Sequence, residues 1–172
     1  MWIKPSLHPF SLSFGCGRLA ASFDAGSIGH AGRTQPALLL AAALNAIIGV
    51  LHLVIIAVGP PWYRLFGAGE RMAVAAEKGR WYPGLITAAI ACVLLAWSAY
   101  ALSAAGAIGR LPLLLPILCL ITLVYLLRGV LGPRLLAGTG RSQRFIVVSS
   151  LICLGFGLVH LVGLVQQWPV LS

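Results

Sequence analysis

Residues 37 to 58 read ALLLAAALNAIIGVLHLVIIAV, an uncharged run whose only strongly polar members are Asn45 and His52. At about 1.5 Å of rise per residue this stretch makes a helix of roughly 33 Å, enough to cross the hydrocarbon core of a bilayer. Thr34-Gln35-Pro36 in front and Gly59-Pro60-Pro61 behind supply a helix start and stop that need no tertiary help. Three more stretches share this character, at 83–105, 113–131 and 145–165. Pro83 opens the second. Leu-Pro-Leu-Leu-Leu-Pro at 111–116 predicts a kink or a loosened first turn near Pro116 in the third. Ser142 is an N-cap for the fourth, whose end is marked by Gln166-Gln167-Trp168-Pro169. Helices of a soluble bundle would each show a polar face, and these show almost none. The expected fold is therefore all-α and membrane-integral, an up-and-down bundle of four transmembrane helices over 37–168, preceded by a disordered tail at 1–36 that shows neither helical nor strand period.

Composition agrees. Of 172 residues 60% are hydrophobic and 9% charged, with 12 Lys+Arg against 3 Asp+Glu. A soluble domain averages about 25% charged residues, so a single water-soluble domain is excluded. The net charge of +9 comes from scarce acids rather than abundant bases, which argues against a nucleic-acid module. Sorted by loop, the charge becomes a topology signal. Arg64, Arg71, Lys78 and Arg80 follow the first span, and Arg134, Arg141 and Arg144 follow the third. The opposite side holds Arg110 and the tail residues Lys4, Arg18 and Arg33. Positive charge is retained in the cytoplasm, so both termini are expected on the non-cytoplasmic side. Trp62, Tyr63, Phe66, Trp81 and Tyr82 would form the cytoplasmic aromatic belt, with Trp168 at the other face. Ten arginines to two lysines fit a bacterial protein, hence an inner-membrane location.

Motifs of soluble chemistry are missing from the sequence. Cys92, Cys119 and Cys153 are spread one to a span, Cys16 lies in the tail, and no C-x-x-C pair exists, which disfavours a disulfide oxidoreductase. Gly67-Ala68-Gly69-Glu70 lacks the strand and the third glycine of a nucleotide fingerprint. No H-E-x-x-H or G-x-S-x-G occurs. No catalytic residue, metal site or cofactor is assigned.

Two histidines stand in matching contexts. Gly49-Val50-Leu51-His52-Leu53-Val54 and Gly157-Leu158-Val159-His160-Leu161-Val162 both fit G-x-x-H-L-V. The same helical face runs back through Asn45 and Ala41 in the first span and through Cys153 and Ser149 in the fourth, small and polar stripes that mark helix contacts in lipid. By rise per residue His52 lies about 7 Å to one side of its span centre and His160 about 7 Å to the other. That separation excludes one shared metal ion, and His160 stands as a second, separate polar position.

Depth also gathers a polar layer on the cytoplasmic side: His52, Thr87, Tyr125 and Arg128, with Asn45 near the centre. Ala68 to Lys78 reads as a short interfacial helix with Glu70 and Glu77 on one face. Arg128 either snorkels to the headgroups or pairs with Glu70 or Glu77 over a ligand or proton site lined by His52, Tyr125 and Thr87. Gly49 to His52 followed by Gly59-Pro60-Pro61-Trp62-Tyr63 resembles the DoxX-like group of small four-helix bacterial membrane proteins. That resemblance implies an inner-membrane four-helix fold with an association to redox or quinone-linked systems, and it carries over no catalytic residue. Three functional classes remain open: a structural or interaction subunit contacting the bilayer and a second copy or membrane-protein partner, a small-molecule or proton carrier, and a quinone- or haem-linked redox component.

Overall fold

The computed structural model describes residues 34–171, so the expected disorder of the tail falls almost wholly outside the described residues. Six helices follow one another: α1 Pro36–Val58, α2 Pro60–Leu65, α3 Glu70–Glu77, α4 Tyr82–Ala104, α5 Leu114–Leu135 and α6 Gln143–Leu171. Helices α1, α4, α5 and α6 are long and apolar enough to cross a membrane. They run up and down, giving the expected four-helix transmembrane bundle. Helices α2 and α3 and the α5–α6 connection lie at one end, called here the hook end; the α4–α5 loop and the outer ends of α1 and α6 form the terminal end.

Local chemistry sets the helix bounds. Pro36 begins α1, where its missing N–H costs nothing. Pro116 is the third residue of α5, where an N–H would have no helical partner, so the helix starts regularly there, with the Ile117 N–H on the Leu113 carbonyl at 3.0 Å; Leu113, just before α5, takes a left-handed φ of 53°. Ser142 caps α6, its Oγ accepting the N–H of Phe145 at 3.2 Å. The fourth span is longer than its hydropathy suggests. It runs through Pro169 to Leu171, because a proline this near the end removes only one hydrogen bond.

Small residues decide which helices touch. A Cβ on Gly129 of α5 would stand 2.8 Å from the Leu154 backbone of α6, and one on Gly157 of α6 would stand 3.0 Å from the Leu126 backbone of α5. Gly49 lets the Leu95 side chain of α4 sit against α1, and Gly163 admits Leu38 of α1 against α6. These glycines bring α1 onto α4, α5 onto α6, and α1 onto α6. No described glycine makes such an approach between α4 and α5, and those two helices meet sparsely. The small and polar stripes seen in the first and fourth spans are thus used inside the chain: Ala41, Asn45, Gly49, Gly157 and His160 are buried. At the hook end Tyr63 and Ala73 pack on Ile55 of α1. Gly67, at φ +68°, leaves room for the ring of Phe145 from α6.

Candidate functional site

The acidic residues come first, because they correct an expectation. Neither Glu70 nor Glu77 reaches Arg128. Both are held by Arg64: its Nε lies 3.1 Å from each Glu70 carboxylate oxygen, its Nη2 2.8 Å from Glu70 Oε1 and its Nη1 2.6 Å from Glu77 Oε1. Arg64 sits in α2, only 6 and 13 residues away in sequence, close enough to capture both acids as the chain turns back. The hydrogen bonds from Arg64 hold both carboxyls below the ordinary carboxylate range, and the two acids raise the guanidinium further above its own. All three side chains are well exposed, so each pair on its own contributes little to stability.

Arg128 turns elsewhere. Its Nη1 and Nη2 each lie 3.4 Å from a hydroxyl, Ser150 Oγ and Ser149 Oγ on α6. The guanidinium occupies the space a side chain at Gly132 would take, one turn nearer the hook end than its own Cα. It therefore snorkels by one helical turn and stops at α6. Two long contacts leave most of its five N–H donors unused.

The remaining members of the expected layer separate. His52 is half-buried, and its Nδ1 meets the Ile48 carbonyl of its own helix at 2.7 Å. Thr87 donates to the Pro83 carbonyl of its own helix at 2.8 Å. Neither joins Tyr125 or Arg128 by a hydrogen bond. Asn45, Tyr125 and His160 are brought together instead, from α1, α5 and α6. The Tyr125 hydroxyl donates to Asn45 Oδ1 in a short hydrogen bond. The Asn45 amide donates to the Ala41 carbonyl at 2.9 Å and to His160 Nε2 at 3.1 Å. His160 Nδ1 lies 2.9 Å from the Phe156 carbonyl. A backbone carbonyl only accepts, so Ala41 fixes the amide nitrogen on its side and Phe156 fixes the proton on Nδ1. Nε2 is then an acceptor and the imidazole is neutral. A second proton would have to sit against the Asn45 amide hydrogens.

Tyr125 is the hub of this cluster. Its ring stands edge-on to Trp97 of α4 with centroids 5.1 Å apart, edge-on to Phe156 at 5.5 Å and tilted on His160 at 5.4 Å. With the hydrogen bond to Asn45 it touches all three other membrane helices, including α1 across the diagonal where the backbones do not approach. The sequence reading placed Tyr125 with His52 and kept His160 apart. Depth alone does not separate His160 from Asn45, since both fall on the terminal side of their helix centres; what moves is Tyr125, which α5, by running on to Leu135, carries from the hook side to its own centre. With the observed bounds His160 is about 5 Å from the helix centre, within side-chain reach of Asn45.

A cleft of about 490 Å³ opens between α4 and α5 toward the membrane. Ile90, Val93 and Trp97 of α4 face Val124 of α5 across it, Tyr125 lies at its floor and Arg128 at its hook end. A second, equally large and more open hollow lies beside α3 at the hook end, with Arg71, Lys78 and Arg80 around it. Among the described residues no three His, Cys, Asp or Glu side chains stand close enough to hold a metal ion. Comparison of the chain with protein families, characterised proteins and solved structures gives no match.

Proposed function

We propose that this chain is a structural or interaction subunit of the bacterial inner membrane, with the hook end in the cytoplasm and both termini on the other side. One observation carries the functional part: the polar groups deep in the bundle are spent on one another. Tyr125, Asn45 and His160 close a hydrogen-bonded network across α1, α5 and α6, and among the described residues no buried side-chain nitrogen or oxygen lacks a partner. A carrier would need polar groups free to meet cargo or protons along a route, whereas His52 and Thr87 are each bonded back to a carbonyl of their own helix. The orientation rests on seven basic residues in the two hook-end loops, against Arg110 in the loop at the terminal end. The DoxX-like family remains the proposed kinship, on the turn from Gly49 to Tyr63.

The small-residue stripes are used inside the chain, so association must involve the outer faces, of which the hook with Arg71, Lys78 and Arg80 is the most polar. Chemical crosslinking in native membranes followed by mass spectrometry in lipid nanodiscs tests this. The expected result is a second copy or a recurring membrane partner linked through Lys78. A protein that is strictly monomeric and alone in both measurements overturns the reading.

A further inference from the structure

The cleft between α4 and α5 brings two features close together. Its lining is wholly apolar, and about one turn beyond its hook end stands the Arg128 guanidinium with no carboxylate partner among the described residues, since Arg64 holds both Glu70 and Glu77. We infer that this cleft binds one anionic phospholipid from the hook-side leaflet, its phosphate on Arg128 and an acyl chain along Ile90, Val93 and Trp97.

The geometry fits a lipid in three respects. Gly132 lets the guanidinium reach one turn toward the hook end, about three residues or 5 Å short of the end of α5. Centring α5 in a hydrocarbon core of roughly 30 Å puts the guanidinium about 4 Å inside the boundary, close enough for a phosphate drawn to the mouth of the cleft to meet it. From Ala89 to Trp97 the cleft follows α4 for roughly 12 Å, starting about one turn deeper than the guanidinium and running past the helix centre. The walls offer a chain only methyls, methylenes and the Trp97 ring, so specificity must come from charge at the mouth. Ser149 and Ser150 steady the guanidinium without neutralising it, which leaves donors for phosphate oxygens. A helix from a partner protein would have to bring an acid into the membrane to do the same, at a cost in insertion that a lipid phosphate does not carry.

Trp97 provides the readout. The full chain is reconstituted in nanodiscs of zwitterionic lipid and titrated with phosphatidylglycerol or phosphatidylcholine brominated on the acyl chain. Fluorescence lost in the native chain but not in Trp97→Phe isolates contact at the cleft. We expect phosphatidylglycerol to be preferred about fivefold, the attraction one arginine near the surface offers an anionic lipid. Arg128→Gln should abolish the preference, and Arg110→Gln at the terminal end should keep it. Ala89→Phe, which fills the cleft at an exposed position and leaves Arg128 in place, should remove quenching by both lipids. Equal quenching by the two headgroups, a preference that survives Arg128→Gln, or displacement by inorganic phosphate as effective as by lipid would each overturn the inference. The test is independent of whether a protein partner is found.

Discussion

Asn45 has two N–H donors and a carbonyl oxygen, and all three are used: the donors on Ala41 and His160, the oxygen on Tyr125. It is fully buried in a helix whose only other strongly polar side chain is His52. Replacing it with alanine strands the Tyr125 hydroxyl and His160 Nε2 together, whereas Tyr125→Phe strands only one oxygen. Interhelical hydrogen bonds in lipid contribute about 0.6 kcal/mol on average and about 1.7 at most. Tyr125→Phe should therefore cost about 1 kcal/mol and Asn45→Ala about 2, with a double-mutant cycle between them showing clear coupling. Unfolding in mixed micelles measures both; additive losses would mean the network does not act as one unit. Asn45 and His160 were visible in the sequence as polar residues in apolar runs. Their partnership was not, because hydropathy gives a residue's depth but not which helices stand side by side, and it is the packing of α1 on α6 together with the longer α5 that brings Asn45, His160 and Tyr125 to one place.

At the scale of elements, the long helices could be read directly from the sequence. Hydropathy locates a twenty-residue apolar run regardless of what it packs against, and the small interfacial helix α3 was legible from its two glutamates on one face. The ion pairing was not, because it depends on the three-dimensional turn that carries α2 past α3. Arg64 joins these two short helices by the only salt bridges among the described residues. The sign of the pH dependence follows from the acids. Their carboxyls sit below the ordinary range when folded, so the contribution is complete above the unfolded value and is lost as pH falls through the lower, folded one. The hook should stay closed at neutral pH and loosen only in strong acid. Amide exchange over 70–78, corrected for its intrinsic pH dependence, should rise in that acid range. Arg64→Ala should show the same loosening at neutral pH, as faster tryptic cleavage after Arg71. Protection that is unchanged in that variant would show that apolar packing of Tyr63 and Ala73 alone holds the hook.

Across the whole molecule the close helix contacts are unequal: α1 lies on α4 and α5 on α6, with α1 and α6 as the seam and α4 and α5 barely meeting. The chain is two hairpins, and the Asn45 amide on one reaches Tyr125 and His160 on the other. This arrangement bears on biogenesis. A ribosome delivers the first hairpin to the translocon before the second exists, and for that interval Asn45 can satisfy only its bond to Ala41 within its own helix. Assembly is then a docking of two preformed halves, completed when Tyr125 and His160 arrive. Chains divided in the loop between Ala105 and Arg110 and made together in one cell should therefore find each other and co-purify. Asn45→Ala should reduce the yield of the reunited pair much more than it reduces either half alone.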